Sequence, residues 1–223
     1  MHLRRVNSTE LIAGAIFDVD GTLLDTMPVW HDAGARYLAT LGIKAAEGLG
    51  DRLFVETVDS GAQFMIDEYD LEMTVPEVSR GINEQMEQYY FDEAPLKEGA
   101  LELLQRMDAA GIPMTVASST DQYCIDAAFK RLGIQDYFQA VLSCGDFDTT
   151  KASPAIFFEA VSQMGTEIPL TWVFEDGLYA IKTARGEGFR TVGIYDKVSE
   201  ADQDDIIKYS DYYYRSLADF EII

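Results

Sequence analysis

Two carboxylates stand two residues apart in Phe17-Asp18-Val19-Asp20-Gly21-Thr22-Leu23, at the end of an apolar run. Extended backbone points such residues to the same side, so Asp18 and Asp20 are expected to crowd. Like charges this close raise one pKa unless a cation intervenes. Other polar groups end later apolar runs: Ser118 closes Pro113–Ser119, and Glu175-Asp176 closes Trp172–Asp176. Lys151 follows the run Ala140–Asp146 and precedes Ser153-Pro154. Four carboxylates against one ammonium make a cluster of net charge −3 before any anionic substrate arrives. Such a cluster suits a hard divalent cation, and all-oxygen donors suit Mg²⁺. Taken one at a time, these residues are ordinary solvated loop ends in an acidic chain. Their recurrence at the ends of separate runs is what marks a site.

The elements that must bring them together are legible as a rhythm. The runs Ala13–Asp20, Pro113–Ser119, Ala140–Asp146, Trp172–Asp176, Thr191–Asp196 and Asp211–Tyr214 are continuously apolar rather than alternating. Strands buried on both faces read this way. Amphipathic segments lie between them from Pro113 onward, and another precedes Pro113. Ala100, Leu103, Leu104 and Met107 recur at helical spacing before Gly111, and Ile125, Ala128, Phe129 and Leu132 do so before Gly133. Ser153 is expected as a helix N-cap with Pro154 in the first turn. Alternation of strands and helices predicts an α/β fold, a doubly wound parallel sheet that binds ligands beyond the carboxyl ends of its strands.

Residues 27–92 break the rhythm and contain no convincing strand. Trp30, Ala33, Tyr37, Leu38 and Leu41 mark one apolar helical face. Thr74-Val75-Pro76-Glu77 resembles a capping box ahead of Val78, Ile82, Met86 and Tyr89. The expected organisation is therefore a core of residues 1–26 and 93–223 with a small helical domain, 27–92, inserted after the first strand.

Charge restricts the partners. The 223 residues carry 17 Lys and Arg against 39 Asp and Glu, a net charge of −22. Such a surface repels nucleic-acid backbones and anionic membrane faces, and no basic stripe opposes the bulk field. The two cysteines, Cys124 and Cys144, have neither metal-ligand spacing nor the density of a disulfide framework. Leu11–Phe17 is interrupted by Gly14 and followed by Asp18, so neither a signal peptide nor a membrane span is expected. The expectation is a cytoplasmic protein acting on a small molecule, with no obligate protein partner evident.

Asp18-Val19-Asp20-Gly21-Thr22-Leu23-Leu24-Asp25 resembles the first motif of the haloacid dehalogenase superfamily. Val116-Ala117-Ser118-Ser119 resembles the second motif. Lys151-Ala152-Ser153-Pro154 resembles the third, with Ala152 where Pro is usual, and Val173-Phe174-Glu175-Asp176-Gly177 the fourth, with Gly177 where Ser is commoner. The order matches along the whole chain, and the helical insert matches the C1 cap of the subgroup that includes β-phosphoglucomutase and phosphoglycolate and sugar-phosphate phosphatases. The resemblance implies roles. Asp18 is the nucleophile that forms an aspartyl-phosphate, and Asp20 the general acid and base. Ser118, Ser119 and Lys151 hold phosphoryl oxygens. Mg²⁺ is bound by Asp18, the main-chain carbonyl of Asp20 and Asp176, with Glu175 as ligand or as partner through water. Thr22 orients Asp20. His31 and Arg80, in the insert, are candidates for the substrate pocket.

The implied function is a Mg²⁺-dependent phosphatase for a small phosphorylated metabolite. The alternative is a phosphomutase, which needs a basic grip for a second phosphate. A carbon–halogen hydrolase is a third class on this fold, and Asp20 and the Glu175-Asp176 pair count against it. A non-catalytic binding protein is the remaining reading, and the intact motif residues oppose it.

Overall fold

The computed structural model describes residues 4–6, 10–54 and 56–222. The chain divides into two compact units, one of residues 1–25 and 94–223 and one of residues 26–93.

The larger unit is built on a six-stranded parallel sheet of β3 (Gly14–Phe17), β4 (Met114–Ser118), β5 (Ala140–Ser143), β6 (Thr171–Glu175), β7 (Arg190–Ile194) and β8 (Tyr212–Tyr214). Their order across the sheet is β5-β4-β3-β6-β7-β8. β3 is central and pairs in parallel with both β4 and β6, so the chain's winding reverses there. That reversal opens a crevice at the carboxyl ends of β3 and β6, where an open α/β sheet takes its ligands. The strands β3, β4 and β6 are buried at every position, which is why they read as unbroken apolar runs.

Both sheet faces are covered. Ile16 and Val173 pack on one face with Ile156, Phe157 and Ala160 of α7 (Ala155–Met164) and with Ala180 and Ala184 of α8 (Leu178–Gly186). Their neighbours Phe17 and Phe174 stack with ring centroids 4.5 Å apart. They meet Phe138 and Phe220 edge-on. The helices α5 (Ala100–Ala109) and α6 (Gln122–Leu132) end where expected, with Gly111 and Gly133 at positive φ.

Three expectations change. The apolar stretch before Asp18 is two elements: β2 (Glu10–Ile12) pairs antiparallel with β1 (Arg4–Val6), and β3 begins only at Gly14. A three-residue hairpin strand that includes Arg4 and Arg5 has no apolar signature to read. The run from Ala140 is strand only to Ser143, and Cys144–Phe147 forms a 3-10 turn. Helix α7 starts one residue late, placing Pro154 at the N-cap, while Ser153 Oγ accepts weakly from the Ala155 N–H at 3.5 Å.

Among the described residues the smaller unit has four helices: α1 (Met27–Thr40), α2 (Leu49–Phe54), α3 (Val58–Tyr69) and α4 (Val75–Asp92). The expected apolar face of α1 is buried at Ala33, Tyr37 and Leu38. Trp30 Nε1 donates to Tyr90 Oη at 2.9 Å, tying α1 to α4. Gly81 of α4 admits the Tyr37 ring, since a Cβ there would sit 2.1 Å from it. Glu77 accepts from both N–H and Oγ1 of Thr74, as the capping sequence implied. No helix among the described residues is long and apolar enough to cross a membrane.

Candidate active site

Asp18 follows the last residue of β3, and its N–H donates to Phe174 O of β6, which fixes the two strand ends side by side. Glu175 is the last residue of β6, and Asp176 follows it. Carboxylate oxygens of Asp18, Glu175 and Asp176 lie within 4.8 Å of one another, and all three residues are buried. Lys151 reaches in from the loop after β5. Its Nζ donates to Asp18 Oδ1 in a short contact and to Glu175 Oε2 at 2.8 Å. Its side chain is only 3% exposed.

This arrangement is electrostatically unbalanced. Burial disfavours the Lys151 ammonium, but Asp18 and Glu175 outweigh that and hold its pKa well above the usual lysine value. Burial, then the Asp18 charge, pushes Glu175 up to about 7, against the opposing pull of Lys151. Burial, then Asp18 and Glu175, pushes Asp176 well above the ordinary carboxylate range. Both shifts are the response of crowded acids to missing positive charge.

A divalent cation fits. Three carboxylates against one ammonium leave a net charge of −2 when all are ionised. Asp18 Oδ2 is buried without a hydrogen-bond partner among the described residues, so one oxygen of the strand-end carboxylate is left for an electrophile. The donors are all oxygen, the set that hard cations prefer. Asp176 is itself braced: Ser199 Oγ donates to its Oδ2 at 3.1 Å. Asp196 lies close enough to Asp176 to raise its pKa. Asp196 is neutralised by Lys97, whose Nζ donates to it at 2.8 Å.

Asp20 stands outside that group of three carboxylates. β3 ends at Phe17, and the chain turns over Val19–Leu24, with Gly21 at φ 84°. The Val19 carbonyl accepts from the N–H groups of Leu23 and Leu24. The turn carries the Asp20 carboxylate out of the buried group, to a half-buried position where Thr120 Oγ1 donates to its Oδ2 at 2.6 Å. The charge that meets Asp18 within the group comes from Glu175 and Asp176, at the end of β6. Nor does Thr22 orient Asp20: it is fully buried, and its Oγ1 has no partner among the described residues. Thr120 does that work. Its sequence signal was a hydroxyl two residues past a strand end, indistinguishable from a helix cap.

Ser118 ends β4 fully buried, and its Oγ accepts from the Thr120 N–H at 3.0 Å. Ser119 is exposed, one residue past the end of β4. His31 and Arg80 belong to the smaller unit. His31 Nε2 bonds to Asp51 at 2.9 Å and its ring fills the space beside Gly50, so it joins α1 to α2. Hydrogen bonding to Asp51 raises its pKa against a weaker burial effect. Arg80 is exposed on α4 near Glu77.

The chain spans only 18% of one relative, the protein Suppressor of Quenching 1 of Arabidopsis thaliana, to which it is 26% identical over 204 residues. It is 26% identical over 190 residues to the fructose-1-phosphate phosphatase YqaB of Escherichia coli, covering 83% of this chain and 97% of that one. A solved Thermotoga maritima structure that carries a β-phosphoglucomutase name shares the fold with a TM-score of 0.83 at 19% identity, over 92% and 95% of the two chains. The model of the haloacid dehalogenase-like hydrolases matches residues 15–194, most of the chain, and the protein belongs to that family.

Proposed function

We propose that the protein is a Mg²⁺-dependent phosphatase that hydrolyses a small phosphorylated metabolite through an aspartyl-phosphate on Asp18. The observation that carries this reading is the Asp18 carboxylate itself. One oxygen is held by Lys151 and the other has no partner among the described residues, inside a buried group of three acids that one ammonium does not balance. The similarity to a sugar-phosphate phosphatase of nearly equal span supports the substrate class.

Asp18, Glu175 and Asp176 would hold the cation together with the main-chain carbonyl of Asp20. When bound, the cation supplies positive charge that draws a phosphoryl group toward the acids and steadies charge building on its oxygens. Asp18 attacks phosphorus, and the bond to the leaving oxygen breaks. Asp20, held by Thr120, gives that oxygen its proton. A water then loses a proton to Asp20 and attacks phosphorus, releasing Asp18 and inorganic phosphate. Lys151 and Ser118 hold the phosphoryl oxygens, with Lys151 also offsetting the charge of Asp18.

The helical unit, residues 27–92, acts in this reading as a cap that selects the substrate. The chain enters and leaves it beside the Asp20 turn: Asp25 N–H donates to Pro95 O and Lys97 N–H to Leu23 O. The insert carries four basic against thirteen acidic residues, which favours neutral leaving groups over polyanionic ones. A phosphomutase needs a second phosphate grip. Two of the insert's arginines are engaged within the compact unit of residues 26–93, Arg52 with Glu56 and Arg36 with Glu93.

The test is a screen of sugar phosphates, phosphoglycolate, nucleotides and p-nitrophenyl phosphate, with Mg²⁺ and after exhaustive chelation. Chelation should abolish phosphate release and Mg²⁺ restore it. Full activity in the chelated protein would overturn the mechanism. Interconversion of β-glucose 1-phosphate and its 6-phosphate with a bisphosphate primer, without net phosphate release, would select the mutase.

A further inference from the structure

The three buried acids share one feature: each already gives an oxygen to a donor of the protein. Asp18 Oδ1 accepts from Lys151 Nζ. Glu175 gives both oxygens, Oε2 to Lys151 Nζ at 2.8 Å and Oε1 to the Gly177 N–H at 3.0 Å. Asp176 gives Oδ2 to Ser199 Oγ at 3.1 Å. Lys151 and the Gly177 N–H belong to segments that build the site. Ser199 does not. It comes from the loop after β7, and Gly177, next to Asp176, has no side chain that could do the same work.

That loop is anchored on both sides of Ser199. Before it, the buried Asp196 accepts from the Val198 N–H through Oδ1 at 2.9 Å and from Lys97 Nζ through Oδ2 at 2.8 Å. Lys97 Nζ also donates to the Tyr195 carbonyl at 2.8 Å. The Lys97 N–H donates to Leu23 O, in the turn that carries Asp20. Beyond Ser199, its own carbonyl accepts from the Asp202 N–H at 3.0 Å. These bonds fix the place from which the Ser199 hydroxyl reaches Asp176.

A carboxylate meets a cation with one oxygen or with both. Ca²⁺ accepts either mode in a large, flexible shell, whereas Mg²⁺ demands a compact octahedron. A donor on one oxygen opposes two-oxygen binding, because it takes a lone pair that the cation would need. We infer that Ser199 is a positioning residue for the cation site: it limits Asp176 to one-oxygen coordination and so biases the site toward small octahedral cations such as Mg²⁺ and against Ca²⁺. The inference rests on the proposed cation site. Of the three donors, the Ser199 hydroxyl alone can be removed without changing a charge or the backbone.

The experiment measures Mg²⁺ and Ca²⁺ binding to the full chain by calorimetry, without substrate or phosphate, with thermal midpoints to confirm folding. Ser199→Ala should weaken Mg²⁺ roughly tenfold, the low end of the loss when a partner behind a metal ligand is removed, and weaken Ca²⁺ less. The ratio of Mg²⁺ to Ca²⁺ affinity should therefore fall. Ser199→Thr, which keeps the hydroxyl, should restore it. A ratio that holds or rises in Ser199→Ala, even with both affinities reduced, would overturn the inference and leave the cation site standing. If neither cation binds the unaltered protein, the cation site fails and the inference fails with it.

Discussion

The two units share an acidic bias and use charge in opposite ways. In residues 26–93 the ion pairs are local or exposed. Arg52 and Glu56 are four residues apart, with side chains 48% and 29% exposed, and Arg36 meets Glu93 at the surface. In the sheet unit, Lys151 pairs with Asp18, 133 residues away in sequence, with both side chains at most 5% exposed. An exposed pair is solvated whether or not the chain is folded, so it contributes little. A buried pair forfeits solvation and persists only where the fold imposes it. Stability alone does not favour three buried acids against one lysine. The upward pressure on Glu175 and Asp176 shows that the folded chain holds them at a cost.

The sharpest way to break this comparison is through activity. Asp18→Asn should leave no phosphoenzyme and lower turnover by roughly 10⁴ or more, as removal of a nucleophile does. Asp20→Asn should slow both formation and breakdown of the phosphoenzyme by roughly 10² to 10⁴. Rapid-quench measurement separates the two. Equal mild losses would make both residues cation ligands only.

Next in size are effects on stability. Lys151→Met strips the buried acids of their ammonium and should cost about 3–5 kcal/mol in denaturant unfolding, the penalty for orphaning buried charge. Arg52→Ala, in the other unit, should leave the unfolding midpoint where it was. Asp176→Asn should raise the thermal midpoint of the metal-free protein at pH 8, because it removes a carboxylate the site cannot neutralise, and should erase stabilisation by Mg²⁺. A loss of stability in Asp176→Asn would mean that the acids support the fold rather than burden it.

The sheet was legible because strands buried on both faces leave unbroken apolar runs, and the helical insert because Trp30 through Leu41 keep one face apolar. Much of the site followed from reading the strand ends. Asp18, Lys151, Glu175 and Asp176 meet because parallel strands align their carboxyl ends, whatever lies between them in sequence. Where the chain leaves regular structure, pattern failed. The period-two rule took the chain to run straight on through Asp20, but it turns at Gly21, and the Thr120 hydroxyl that bonds Asp20 went unread. Ser199, Asp196 and Lys97 behind Asp176 were invisible for a related reason. They come from the loop after β7 and the approach to α5, and nothing in their own segments announces the contact, whether 23 residues away for Ser199 and Asp176 or 99 for Lys97 and Asp196.

A smaller effect separates the units by pH. The folded Glu175 carboxyl titrates at about 7, above its usual value of 4.5, so the native chain holds a proton that the unfolded chain releases. Stability from this group is fully present below 4.5 and is lost as pH rises through 7. The thermal midpoint of the metal-free protein should therefore fall between pH 5 and pH 8. Mg²⁺ should raise the midpoint more at pH 8 than at pH 5, because at pH 5 protons compete for the same oxygens. A metal-free midpoint that climbs with pH over this window would contradict the burial of uncompensated charge.

The smallest effect lies in the helical unit and runs in the same direction, so the cation must be used to expose it. His31 is raised above 6.5 mainly by Asp51, a bond between α1 and α2. Its contribution is fully present below pH 6.5 and fades as pH rises through the folded value. Because the Asp51 side chain is 85% exposed, solvent screens the pair and the effect should be small. With Mg²⁺ saturating, Glu175 stays ionised and its proton release on unfolding disappears, while His31 is unaffected. The decline of the midpoint between pH 6 and pH 8 that survives saturating Mg²⁺ should then shrink in Asp51→Asn, the part that Asp32 supports remaining. If Asp51→Asn leaves that decline intact, the residual proton belongs to another group, and the contrast between a locally paired helical unit and a strained sheet edge loses its second half.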